Sequence, residues 1–316
     1  SDMQSDVSQE ELTQLLAKVD RESGFRKLSG YQRHIVYWIA VAFSGFHLYT
    51  GLLGAYPAQI QRSVHLAFAF ALVYLLYPFR SRPGIHRLRW YNFAFAAFAV
   101  GIGLYLTFNY TRLMETAGDY TRTDMVVGAI GTLLTLEAAR RVVGLPIVII
   151  ASTFLTYAYF GPYFPSFLTH RGYSLERIVS HMYYTTEGIL GIPLGVSATF
   201  IFLFILFGAF LEKTGIGKLF IDIADAIAGW ASGGPAKVAV ITSALEGTVS
   251  GSSVANTVGS GSFTIPMMKR LGYRPEFAGA VEAAASTGGQ IMPPIMGAAA
   301  FLMSEFIGVP YIEIAK

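Results

Sequence analysis

Six stretches of this chain are apolar for close to the roughly 20 residues that a helix needs to cross a hydrocarbon layer of about 30 Å. They cover about Ile35–Tyr56, Val64–Phe79, Trp90–Tyr110, Met125–Val143, Leu145–Phe160 and Ile192–Leu211. A water-facing fold could not cover them. Only 14% of the 316 residues are charged, about half the share usual in soluble domains. Eleven of the 43 charges crowd into residues 1–33, and 53% of the chain is hydrophobic. The runs predict an all-α integral membrane protein with about six transmembrane helices. The absence of cysteine excludes disulfide frameworks, thiolate metal sites and cysteine nucleophiles. A net charge of only +3, scattered, gives nucleic-acid binding no support.

Residues 1–33 are polar, with no signal-peptide pattern. Ser8 and Glu11 fit a capping box, and the spacing of Leu12, Leu15, Leu16 and Val19 predicts a short amphipathic helix over 9–22. The basic clusters orient the spans. Arg26, Lys27 and Arg33 precede the first, Arg80, Arg82, Arg87 and Arg89 join the second to the third, and Arg140 and Arg141 close the fourth. Alternating spans put all three clusters on one side, which the positive-inside rule makes the cytoplasm, so the N-terminus is expected inside. Glu137 lies three and four residues before Arg140 and Arg141 and reads as an interfacial anchor. His47, an ionisable group within the first span, reads as an interhelical hydrogen-bonder. Residues 172–190 read as an outer loop with an interfacial helix, and Ile216–Trp230 as an amphipathic helix on the inner surface.

Residues 238–268 carry no charge except Glu246, between Lys237 and Lys269-Arg270. One straight helix of this length would reach about 46 Å, too long for one crossing, and two crossings would need about 40 residues. The middle, Gly247–Ser262, is rich in glycine and serine. Basic residues at both ends place both ends on one side, so the segment is expected to form a re-entrant helical hairpin with its tip near the membrane middle. Irregular backbone survives there only where protein or a watery cavity covers it. A second interruption follows: Gly288-Gly289-Gln290-Ile291-Met292-Pro293-Pro294 breaks a span expected over Glu276–Ile307.

A hairpin tip and a broken helix supply free carbonyls, hydroxyls and helix ends. These suit a dehydrated Na⁺ ion and an anionic substrate at mid-membrane, and a hard cation asks for oxygen ligands. The plainer alternative is that the small residues only allow close helix packing, as in Gly191-xxx-Gly195 and Gly247-xxx-Gly251. No Walker A sequence, HExxH or nucleophile elbow is present, so no enzyme is expected.

The run from Gly233-Gly234-Pro235-Ala236-Lys237 to Pro293-Pro294-Ile295-Met296-Gly297-Ala298-Ala299-Ala300-Phe301 resembles the fused permease of TRAP transporters, the 4-plus-12-span type that works with TAXI-type binding proteins. Gln61–Phe68, Leu136–Arg141, Phe207–Glu212 and Phe263–Lys269 carry the same resemblance, which runs from about residue 20 to the end. It implies an inner-membrane secondary transporter of bacteria or archaea. A periplasmic TAXI-type protein would deliver a carboxylate-type solute, Na⁺ would drive uptake as coupling ion with no other cofactor, and an elevator domain would move against a scaffold. Residues 1–33 would be a cytoplasmic segment, 34–144 a four-helix small-subunit-like scaffold, and 145–316 the first half of the large-subunit-like transport domain.

The ion and substrate site that the resemblance implies takes Ser250, Gly251, Ser252, Ser253 and Asn256 from the hairpin. Ser286, Thr287, Gly288, Gly289, Pro293 and Pro294 come from the broken helix, with Na⁺ on Ser253, Asn256, Thr287 and Gly288. Glu246 and Glu282 are supporting candidates, Glu282 as a prop for the broken helix or a lining of the substrate path. Because such folds pair inverted repeats, the single hairpin predicts that a C-terminal half of the permease is a further partner. A non-transporting scaffold subunit, or a channel lined by the small-residue tip, are the rival readings.

Overall fold

A computed structural model describes residues 25–26, 28–79, 88–116 and 118–316. The expected helix over 9–22, its Ser8 cap, and Lys27, Arg80, Arg82 and Arg87 lie outside the described residues. Among those described, the fold is helical without strands. It divides into two compact units, one ending at Gly195 and one spanning Val196–Lys316.

The first unit is built from α1 (Tyr31–Leu53), α2 (Ala58–Leu76), α3 (Trp90–Phe108), α4 (Tyr110–Glu115), α5 (Arg122–Val142), α6 (Leu145–Phe160) and α7 (Leu175–Tyr184). Its core gathers Phe70, Tyr74, Leu106, Leu113, Leu134, Tyr183 and Tyr184. The outer face is as apolar as the inner one: Trp38, Leu52, Phe108 and Phe154 are all exposed. In α6, no residue is buried although the helix is apolar all round. Such a surface belongs in lipid.

Several buried polar groups inside this unit find partners within it, as membrane interiors favour. The hydroxyls of Tyr74, Tyr183 and Tyr184 donate to the carbonyls of Leu134, Ile102 and Asp124. His47 and His65 meet ring to ring, Nε2 to Nδ1, at 2.9 Å across α1 and α2. Glu137 receives both Arg140 and Arg141, at 2.7 and 2.8 Å.

Five helical stretches, not six, are long and apolar enough to cross a membrane among the described residues: Tyr31–Leu53, Ala58–Leu76, Trp90–Phe108, Leu145–Tyr163 and Ile192–Lys213. The expected fourth span forms as α5 with 21 residues, but Arg122, Asp124, Glu137, Arg140 and Arg141 at its ends lower its apolarity. The two compact units meet along the chain between Gly195 and Val196. The Tyr183 and Tyr184 rings of α7 are part of the first unit's core, which keeps residues 145–195 with that unit.

A capping box that sequence reading missed starts α5: Thr121 Oγ1 accepts from the Asp124 N–H, and Asp124 accepts from the Thr121 N–H. The fully buried Asp124 also receives Arg112 at 2.6 and 2.9 Å and the Tyr105 hydroxyl at 2.7 Å. The Arg112 hydrogen bonds hold its carboxyl well below the usual carboxylate range. Since the folded value lies below the unfolded one of about 3.9, the stabilisation is present above about pH 4 and is lost as the pH falls further. Asp124→Ala is expected to cost about 2–3 kcal/mol through its lost charged hydrogen bonds. Thermal melts in detergent check this: the wild type falls steeply below about pH 4, while the variant starts lower and changes less.

Candidate functional site

The second unit begins at Val196, the last residue of α8 (Ile192–Val196), whose helical run passes through a π-turn at Ser197–Ile201 into α9 (Phe202–Lys213). The amphipathic α10 (Ile216–Ala228) follows. The segment around Glu246 then folds as a helical hairpin. Its first arm is α11 (Gly234–Ser250), and its second is α12 (Ser253–Gly259) followed by α13 (Gly261–Arg270). Gly251 turns the tip in the left-handed region at φ 59°, where a side chain is disfavoured. Ser252 caps α12, its hydroxyl accepting from the Ala255 N–H.

The broken helix is present as well. Its first half, α14 (Pro275–Gly288), passes through a short 3₁₀ turn at Gly289–Ile291. The chain then leaves helical geometry over 292–297, with a cis Pro293–Pro294 bond and Met296 at φ 55°, before α15 (Ala298–Ile307) resumes. The short α16 (Tyr311–Ile314) returns Tyr311, whose hydroxyl donates to the carbonyls of Pro294 and Ile295.

Tip and break meet. Gln290 Nε2 donates to Ser253 Oγ at 3.1 Å, and the Gly297 N–H to the Gln290 carbonyl at 2.7 Å. Gly251 lies against the Ile295 side chain and the Met296 carbonyl. Gly247 faces the Gly289 backbone so closely that a Cβ on Gly247 would collide with the Gly289 Cα. Asn256 sits beside Gly289 at 1% exposure. Its Nδ2 donates to the Ser243 carbonyl at 2.7 Å. A carbonyl only accepts, so this contact fixes the amide orientation. Asn256 Oδ1 is then a buried acceptor without a donor among the described residues. An orphaned oxygen is costly, and beside a hairpin tip and a helix break it suits a cation. The oxygen donors at hand fit Na⁺: Asn256 Oδ1, the Ser253 hydroxyl and the carbonyls around the two interruptions.

The expected residues therefore separate. Gly251, Ser253, Asn256 and Gly289 come together, with Ser250 and Ser252 flanking the tip. Thr287 is exposed and its hydroxyl donates to the Ala283 carbonyl of its own helix. Gly288 is half-buried, and Pro293 and Pro294 are exposed on the break. Glu246 is half-buried near Gly217 and Gly259. Ser286 belongs to a different constellation, around Glu282. Glu282 is fully buried, and Ser243 and Ser286 each donate to its Oε1 at 2.9 Å. Ser260 makes a short hydrogen bond to the same oxygen, and Thr264 donates to Oε2 at 2.5 Å. Ser243, Ser260 and Thr264 escaped sequence reading. Their one signal is that they are hydroxyl residues in otherwise apolar or small-residue arms.

Comparison with known proteins places this arrangement in a family. The family model described as "Tripartite ATP-independent periplasmic transporter, DctM component" matches residues 130–316. That stretch holds both the hairpin and the broken helix, and the chain belongs to this family of transporter permeases. A C4-dicarboxylate TRAP transporter large permease protein of Vibrio cholerae is 32% identical over 169 residues, covering 52% of this chain and 34% of that protein. Its Pseudomonas aeruginosa counterpart is 38% identical over 91 residues, 29% of this chain and 21% of that protein. An isethionate TRAP transporter permease protein of Oleidesulfovibrio alaskensis is 35% identical over 91 residues, 29% of this chain and 14% of that protein. The chain thus spans about a third or less of the length of these relatives. No solved structure matches.

Proposed function

We propose that this chain is the membrane permease component of a Na⁺-coupled TRAP secondary transporter that imports carboxylate-type solutes. The orphaned Oδ1 of Asn256, at the meeting of hairpin tip and helix break, is the observation that carries the Na⁺ assignment. Ser253 and Asn256 are its side-chain ligands in this reading, with backbone carbonyls, including that of Gly288, supplying the rest. Thr287 contributes through its free lone pairs or not at all, because its proton is held by its own helix. The bound cation would supply positive charge for an anionic solute. The three named relatives are called transporters of C4-dicarboxylate or isethionate, all anions, and an anionic solute of carboxylate type is assigned here.

The unit from Val196 onward would carry solute and ion in an elevator motion against a scaffold formed by the small-subunit-like spans. A periplasmic binding protein of the TAXI type would deliver the solute, and the C-terminal half of the permease would complete the cavity. The location is the inner membrane with the N-terminus in the cytoplasm, where the positive-inside rule places Arg89, Arg140 and Arg141.

Uptake of radiolabelled C4-dicarboxylates and sulfonates into proteoliposomes tests the reading, with binding protein supplied outside. Accumulation is expected only with an inward Na⁺ gradient and only with the binding protein. Equal uptake in choline would remove Na⁺ coupling. Unsaturable uptake without the binding protein would favour the channel, and no uptake by the complete permease the scaffold.

A further inference from the structure

The Glu282 carboxylate has no exposed surface, and none of the ion pairs among the described residues involves it. Its hydrogen-bond partners are four hydroxyls from three segments: Ser243 on the first hairpin arm, Ser260 and Thr264 on the second, and Ser286 one turn along its own helix. Hydroxyls can solvate a carboxylate away from water, but they bring no positive charge. A buried charge without a counter-ion is strongly disfavoured.

Two single-residue bridges lead from this carboxylate to Asn256. Ser243 binds Glu282 through its hydroxyl and Asn256 Nδ2 through its carbonyl. Ser260 binds Glu282 through its hydroxyl, and that hydroxyl also lies 2.8 Å from the Asn256 carbonyl. Within a protein interior, a charge a few hydrogen-bond lengths away is weakly screened. Glu246, the other acid in this region, is only half-buried; it also hydrogen-bonds to Ser260, but among the described residues it has no hydrogen bond to Asn256 or Ser243.

We propose that Glu282 is the fixed countercharge of the cation site at the hairpin tip. It is a positioning residue that contacts no cation and acts through Ser243 and Ser260. The same hydroxyls hold both hairpin arms to the broken helix, so the charge and the geometry of the site come from one side chain. The proposal rests on the cation reading above, and its test separates the two.

The purified protein in detergent is heated in increasing NaCl, with choline chloride holding ionic strength constant. The wild-type melting temperature is expected to rise saturably with NaCl. Glu282→Gln keeps the shape, accepts from Ser243, Ser260 and Ser286, and can donate to Thr264, but carries no charge. Its melting temperature in choline chloride should stay near wild type, while its half-saturating NaCl rises at least about tenfold. Glu246→Gln, which removes the neighbouring acid that also reaches Ser260, should raise the half-saturating NaCl less than Glu282→Gln does. An unchanged NaCl response in Glu282→Gln would overturn the countercharge and leave Glu282 a structural clip, with the cation site intact. A response lost in Glu246→Gln and kept in Glu282→Gln would assign the charge to the wrong acid. No NaCl-specific shift in the wild type would remove both proposals. Should Glu282→Gln already melt low in choline, Glu282→Asp decides: a retained NaCl response supports the countercharge, and a lost one contradicts it.

Discussion

Gly247→Val is expected to unfold the hairpin from the broken helix. The added Cβ would fall on the Gly289 Cα, and the reciprocal Cβ on Gly289 would fall 3.0 Å from the Gly247 Cα and 2.6 Å from Asn256 Nδ2. Backbone cannot rotate out of the way as a side chain can. Both helices would have to separate, taking with them the Gln290–Ser253 contact and the Asn256–Ser243 hydrogen bond. The cost should reach or exceed about 3 kcal/mol, the upper end of ordinary overpacking. A valine here also exposes the tip to proteolysis, so cleavage within 234–297 reports the same event. Gly279→Ala is the contrast. It lies in α14 with nothing within 4 Å of an added Cβ. In a helix interior that change should be neutral or stabilise by up to about 1 kcal/mol. Equal losses from the two substitutions would mean that the close approach of Gly247 and Gly289 is not what joins hairpin to break.

The second large effect concerns Asn256. Asn256→Ala removes the buried oxygen without a donor and also the hydrogen bond that joins the second arm to the Ser243 carbonyl. Na⁺-driven uptake is expected to fall at least about tenfold, the factor that corresponds to about 1.4 kcal/mol. Asn256→Asp separates the two roles. It keeps an oxygen in place and adds charge, but loses the donor to Ser243. If the oxygen is what matters, Asp retains a Na⁺ response that Ala lacks. If the two variants are equally impaired, the amide serves only to join the arms.

Much of this architecture was legible in the chain. The hairpin follows from a length argument: a segment between Lys237 and Lys269 whose one charge is Glu246, too long for one crossing and too short for two, has few other solutions. The break at Gly288–Pro294 follows because two prolines cannot donate and two glycines do not hold a helix. The amphipathic helix before the hairpin came through its 3.6-residue periodicity, and it forms over Ile216–Ala228.

What escaped has a common cause. Glu282 gathers Ser243 from 39 positions before it, Ser260 from 22 and Thr264 from 18. Each hydroxyl taken alone looks like a small residue that lets helices pack. The constellation exists only once three helices are in place. His47 likewise showed no partner along its own span, because His65 lies 18 positions away on the neighbouring helix. The fourth span was read from its apolar centre, while the charges at its ends serve a capping box at one end and the Glu137 pairs at the other. The substrate class left less trace still, since specificity in a delivered solute need not be written in the segment proposed to hold the ion.

The central claim is that the hairpin tip and the broken helix together bind Na⁺. Binding of radioactive Na⁺ to the purified protein in detergent tests it without needing the solute, the binding protein or a sealed membrane. The account predicts saturable binding that unlabelled NaCl displaces and choline chloride does not, and that Asn256→Ala abolishes while Gly279→Ala leaves it intact. Binding of equal strength in Asn256→Ala, or none in the wild type, would contradict it.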